Sequence, residues 1–338
     1  MKYLSKTLAI SLALGVSVLG AASAQELETE IVAQHDTRFG DPFITADGRT
    51  FLSMSPLGSS EHRLHELLDD GSLNPYPNDE MSRGFGGVIA ARVTDEGVMW
   101  ILDLGKRVFT GWDINANALV REIVLPDNVL VEHSFLQGYA LDQARNRAII
   151  ADMSQADLSS APVPAFIVVD LETGAAQRVA QGHEALMPET DGGLALNPIT
   201  IDPNYEFVYF GALNGRTIYR VPTASFDGDG SAVARTIERH SEKSFSDGMT
   251  IDDAGNIYVA DIEANAIGLS TPDGYRTIAP VPEGQSWPDG FAFGPDGFLY
   301  FTVNQLNRAA ALNNGDDMGN GEYLLMRFEP LAEGTVGR

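Results

Sequence analysis

Short apolar segments alternate with Asp/Gly turns along almost the whole chain, and the alternation repeats. Ser246 to Asp261 reads SDGMTIDDAGNIYVAD, and Pro288 to Asn304 reads PDGFAFGPDGFLYFTVN. Both run Asp-Gly, a short apolar strand, an Asp/Gly turn, then an aromatic-rich strand that ends in Asp or Asn. Looser copies start at Asp41, Gly87, Gly138 and Asn197. The turn acids Asp47, Asp95, Asp142, Asp202, Asp253 and Asp296 recur at intervals of roughly 40 to 60 residues, a period that marks a propeller when strands fill it. The pattern predicts an all-β fold, a propeller of about six blades.

Within a repeat, Met249–Ile251 and Phe291–Phe293 read as innermost strands, and Asn256–Val259 and Phe298–Phe301 as second strands rich in β-branched and aromatic residues. Weaker outer strands are expected at Val108–Ile114, Ala165–Asp170, Thr217–Val221, Ala266–Ser270 and Tyr323–Phe328. A short strand at Glu28–Gln34 is expected to join the last blade as its outermost strand, which removes an exposed sheet edge. Three inserts break the rhythm, at Ser154–Pro164, Gln181–Gly193 and Leu306–Glu322. The last is expected beside the channel mouth.

The first residues follow another pattern. Lys2 and Lys6 precede an apolar run, Leu8–Gly20, and Ala22-Ser23-Ala24 is an A-x-A cleavage signal. We expect a signal peptide over residues 1–24, one propeller domain over 25–338, and a periplasmic or secreted mature protein. No later apolar stretch is long enough for a membrane span. The 22 Lys and Arg face 47 Asp and Glu, for a formal charge of −25. Such a surface repels phosphate backbones and argues against a nucleic-acid partner. It is compatible with a monomer that takes a small-molecule ligand. With no cysteine, disulfides and thiol chemistry are excluded. No P-loop, dinucleotide fingerprint, G-x-S-x-G or H-E-x-x-H occurs.

In a propeller, the start of each inner strand and the end of each second strand meet at one face. The starts offer Asp41, Gln137, Asn197, Asp247 and Asp289. The ends offer Asp103, Asp152, Asn214, Asp261 and Asn304. These are hard oxygen donors, suited to Ca²⁺ or Mg²⁺. Carboxylates gathered at one mouth repel one another unless a cation or a shared proton relieves them. Asp289 and Asp152 are candidate proton carriers. His133 and His240 are candidate general bases. Asp103, Asp261, Asn304, Phe245 and Trp287 are candidate ligand contacts, the aromatics by stacking or cation–π attraction. His62 and His65, in HRLHE, are expected on a surface turn.

The strings MWILDLG from Met99, SDGMTID from Ser246, WPDGFAFGPDGFLYFTVNQLNR from Trp287 and YLLMRFEP from Tyr323 resemble the Yellow/major royal jelly protein family, in its bacterial branch, over nearly the whole mature chain. The resemblance implies a six-bladed propeller. It also implies a range of roles, from dopachrome conversion to amine binding to structural or nutritive ones. A more distant similarity is to the senescence-marker/gluconolactonase propellers, which hold a divalent metal in the channel and open lactones. That similarity implies a metal, possibly Ca²⁺, at Asp247 (the Asp of an Asp-Gly-Met phrase) and Asn197. Asp41 stands one carbon short of the expected Glu, and Gln137 is near the remaining Asn position without matching it. The functional expectation is lactone hydrolysis or tautomerisation of a small cyclic compound in the channel. The alternative is non-catalytic binding of small aromatic amines or phenolics.

Overall fold

The structure, a computed structural model, describes residues 26–338. The expected signal peptide lies outside the described residues. Six four-stranded antiparallel sheets are formed. Their innermost strands are Phe39–Ile44, Val88–Val93, Leu136–Asp142, Leu196–Ile201, Ser246–Ile251 and Pro288–Phe293 for blades 1 to 6. In the last blade Thr29–His35 pairs with Tyr323–Phe328 as the outermost strand, Thr29 opposite Phe328 and His35 opposite Tyr323. Closure therefore takes place as the sequence predicts. An ion pair between Arg327 and Glu30 (2.8 Å) staples the joint. No helix among the described residues is long and apolar enough to cross a membrane.

Turn chemistry sets the hairpins. Gly48, Gly97, Gly255 and Gly297 occupy the same turn in blades 1, 2, 5 and 6, each with φ near +84°. That backbone is cheap only without a Cβ. Blades 3 and 4 place Asn146 and Tyr205 in the left-handed region instead.

The core lies between blades. Phe109 of blade 2 meets Tyr139 of blade 3 edge-on, and Phe166 of blade 3 meets Phe210 of blade 4. Tyr258 of blade 5 packs on Phe293 and Phe328 of blade 6. Each such ring stabilises the stack by roughly 1.5–3 kcal/mol through burial. The segment HRLHE departs from expectation. Leu64–Leu67 is the third strand of blade 1, and His65 is buried within it. Its partner strands Thr50–Met54 and Leu73–Pro75 impose the extended backbone.

One end of the channel is covered. Val336 bridges to Phe293, Gly337 N–H donates to the Phe293 carbonyl (2.8 Å), and Phe293 N–H donates to the Arg338 carbonyl (2.9 Å). The Arg338 guanidinium lies over Tyr205 and donates to the Asp202 carbonyl (3.1 Å). This segment meets the far ends of the inner strands, leaving the opposite end as the mouth.

Candidate functional site

Every inner strand is irregular near its start. The pairing register shifts between Phe39 and Pro42, Leu136 and Tyr139, Leu196 and Ile199, Ser246 and Met249, and Pro288 and Phe291. Each shift encloses two residues, and one of each two is Asp41, Gln137, Asn197, Asp247 or Asp289. A bulge bends the strand and re-aims a side chain, and such bulges gather near active sites. Here all five side chains line one cavity of about 950 Å³ within the channel, open mouth included. Blade 2 shifts between Val88 and Ala90 and contributes the apolar Ile89 instead.

The glycines after two of the aspartates serve close approach. Neither Gly248 nor Gly290 has a positive φ. A Cβ on Gly290 would overlap the Asp41 carboxylate, and one on Gly248 would fall 2.6 Å from the Asp289 carbonyl oxygen. Blades 5, 6 and 1 thus bring their acids together by laying side chain and carbonyl on bare backbone.

The three acids have unequal support. Asp247 accepts from Asn197 Nδ2 (2.7 Å) and from Trp287 Nε1 (2.6 Å). Asp289 accepts from Asn304 Nδ2 (2.5 Å). The Asp41 carboxylate accepts no hydrogen bond from a described residue, although its backbone N–H donates to Ser53 Oγ (2.9 Å). Burial pushes Asp41 up to about 7; nearby Arg92 opposes the rise and Asp247 adds to it. Burial also raises Asp289 well above the ordinary carboxylate range, with repulsion from Asp247 and Asp41 behind it. Asp247 is raised by burial and pulled back by its Trp287 and Asn197 donors. The cluster can therefore hold protons near neutral pH and pass them, the working requirement of a general acid–base pair.

The structure places most of the other candidates outside this cavity. Asp103 accepts from the N–H groups of Gly86, Gly87 and Lys106. Asp152 accepts from Ser134, Phe135 N–H and Ser154 N–H, and pairs with Arg178 at 2.5 Å. Asp261 accepts from Glu263 N–H, Ala264 N–H and Tyr275. All three are buried caps of strand ends, absent from the cavity wall. Phe245 lies under the Arg216 guanidinium, and His240 packs on Tyr209 in the outer part of blade 4. His133 is half-buried outside the cavity wall. Trp287 does line the cavity, and Asn304 stands directly behind Asp289. Leu306 and Leu312 of the last insert, Leu158 of the first, and Leu57 belong to the apolar part of the wall. Arg92 is the residue that sequence reasoning missed; an Arg inside the apolar strand VIAARV was its signal.

The donor set bears on a metal. Among the described residues no group of three or more His, Asp or Glu side chains is arranged to hold an ion. The donors left over are nevertheless oxygens: the Asp41 carboxylate, Asn197 Oδ1 and an Asp289 oxygen. These fit a hard cation such as Ca²⁺ in kind.

Comparison with known proteins follows the same line. The fold is similar to a luciferin-regenerating enzyme (TM-score 0.65, 14% identity, 92% of this chain and 98% of that one). It is similar to a gluconolactonase from Xanthomonas campestris (TM-score 0.62, 12% identity, 91% and 92% covered). It is also similar to regucalcin, a calcium-binding protein from Agrobacterium tumefaciens (TM-score 0.60, 16% identity, 91% and 98% covered). At such identities the likeness is one of fold. No curated protein matches the chain by sequence. The family profile described as "Major royal jelly protein" matches residues 87–278, more than half of the sequence. The chain is a member of the major royal jelly protein family.

Proposed function

We propose that this protein is an exported enzyme that acts on a small cyclic organic compound in its channel, by lactone hydrolysis or by tautomerisation. One observation carries the reading: Asp41, whose carboxylate accepts no hydrogen bond from a described residue and which burial pushes up to about 7, lines one cavity with Asp247 and Asp289. Two N–H groups point at Asp247 and favour its charged form. In lactone opening, an ionised carboxylate of the cluster takes a proton from water as the water oxygen bonds to the carbonyl carbon. The ring C–O bond breaks, and a protonated partner, Asp41 or Asp289, returns a proton to the leaving oxygen. In tautomerisation the same pair takes a proton from carbon and gives one to oxygen. The apolar wall excludes bulk water from the exchange. A Ca²⁺ held by the free oxygens of Asp41, Asn197 and Asp289, with the Asp247 carboxylate beside them, would, when bound, polarise the reacting carbonyl.

The gluconolactonase and the luciferin-regenerating enzyme among its fold neighbours support a small-molecule reaction. The A-x-A signal before Gln25 supports export. Trp287, Phe135 and Phe291 in the same wall favour the second reading, a binder of aromatic amines or phenolics. Turnover of glucono-1,5-lactone and of dopachrome, with and without Ca²⁺, tests the choice. Asp41→Asn should lower kcat by about 10²–10⁴, the scale of a lost general acid or base. Saturable amine binding with no turnover of either compound would reject the enzyme reading in favour of the binder.

A further inference from the structure

The inner strands can be aligned through their partners. Phe43 pairs with Phe51, Arg92 with Trp100, Ala140 with Ile149, Thr200 with Tyr209, Thr250 with Tyr258 and Ala292 with Tyr300. One slot of the propeller thus carries Phe, Arg, Ala, Thr, Thr and Ala. Five blades fill it without charge, so blade architecture does not call for Arg92.

Arg92 has little internal reason to be there. Among the described residues its guanidinium makes one hydrogen bond, to the carbonyl of its neighbour Ala91 (2.7 Å). Among the described residues no carboxylate lies within 4.0 Å of it, although three line the same cavity. Two arginines outside the cavity are held differently. Arg147 is held by Asp142, Asp227 and the Thr223 carbonyl. Arg178 is held by Asp152, Gln181 and two backbone carbonyls. Arg92, half-buried in the cavity wall, has no such partner among the described residues. Arg92 also separates two spaces. It lines the main cavity, and it lines a smaller one of about 380 Å³ whose far wall is Val336, Gly337 and Arg338. It is therefore the floor of the main cavity. It sits beyond the ring of bulge residues by roughly 7–10 Å of strand rise.

We propose that Arg92 is a binding residue for a carboxylate on the ligand, so that the compound taken by this channel is a carboxylic acid. The guanidinium presents two parallel N–H groups that match a carboxylate. The acid group would sit at the floor against blade 2. The ring would stand above it, within reach of Asp41, Asp247 and Asp289 at the bulges. The ligand would complete the pairing that the fold leaves open. This inference rests on the reading of the cavity as a small-molecule site, and it does not need turnover.

Benzoate and benzamide have the same shape and differ in charge, and benzylamine carries the opposite charge. Calorimetric titration of each at pH 7.5 into wild type, Arg92→Met and Arg92→Lys tests the proposal. Wild type should hold benzoate at least about tenfold more tightly than benzamide or benzylamine, the scale of one charge-assisted pair. Arg92→Met should bring benzoate and benzamide level. Arg92→Lys, which keeps the charge and loses the fork, should retain part of the preference. Benzoate that fails to bind wild type, benzamide or benzylamine that binds as tightly, or a benzoate preference that survives Arg92→Met would each overturn it. If Arg92→Met does not fold, the wild-type ranking and Arg92→Lys still decide. Absence of lactone or dopachrome turnover would count against the enzyme reading alone, because the charge preference is measured by binding.

Discussion

Two rings of aspartates encircle the channel, and they live under different conditions. Asp103, Asp152 and Asp261, at the ends of second strands, are buried, and each accepts at least three hydrogen bonds. Asp41, Asp247 and Asp289, at the bulges of inner strands, accept none, two and one. The first ring is fully buried and fully supplied with donors; the second lines the cavity with few donors, and burial raises its acids above the ordinary carboxylate range. Burial alone does not separate an acid that builds the fold from one available for chemistry. The supply of donors does, because each N–H aimed at a carboxylate favours its charged form.

The sharpest break should come from the outer ring. Asp152→Ala would strip Arg178 of its charge partner and leave three further donors short. We expect a loss of about 3–5 kcal/mol in urea unfolding, the cost of breaking a buried pair on one side. Correctly folded material should keep its ligand preference. A loss near zero would erase the distinction between the rings.

The inner ring should respond with the opposite sign. The folded Asp41 holds its proton up to about pH 7, whereas an ordinary carboxyl releases it near 3.8. Between those values the native state binds more protons than the unfolded one. Stability should therefore fall as pH rises from about 4 to 7. Asp41→Asn should remove that part of the fall and raise stability at pH 8 by about 1–3 kcal/mol, with little gain at pH 4. Urea midpoints at the two pH values check this; equal shifts at both would show that proton release is not the cause. The same variant should lose activity, a trade of function against stability.

The smallest effect tests how donors set the difference. Trp287→Phe keeps the ring in the wall and removes one N–H from Asp247. The acid limb of the pH–activity profile should move up by about 0.5–1 pH unit, since the charged form loses a donor. A downward move would mean that Trp287 acts by packing rather than through its N–H.

Much of this was legible in the chain because turns speak locally. The Asp/Gly phrases sit where a left-handed turn residue joins inner and second strands, so period and blade count could be read directly. Asp41, Asn197, Asp247 and Asp289 were legible because strand starts lie next to those phrases. Strand ends were equally conspicuous, but Asp103, Asp152 and Asp261 fold into turns outside the cavity wall. The donors that occupy Asp152 come from Ser134, Phe135, Ser154 and Arg178, and only the folded sheet brings Arg178 there. Outermost strands such as Ala118–Val124 are mostly exposed and carry little apolar alternation to mark them. Gly290 reads as a turn glycine, and its role emerges only when blade 1 lays Asp41 on it. Arg92 stands in a strand whose sequence shows the oddity without showing the cavity.

The joint in the last blade has a consequence for how the molecule is made. Arg327 and Glu30 meet across 297 residues of chain. Closing a loop of that length in a loose coil would cost roughly 5 kcal/mol by the logarithmic law. The first five blades, by contrast, are sheets of consecutive strands and can form from near neighbours. Their stacking carries the two distant segments around the ring until they lie side by side, so the clasp should fasten last. Until Tyr323–Phe328 has been synthesised and has met Thr29–His35, the circle stays open and the acids of blades 6 and 1 are not yet opposed.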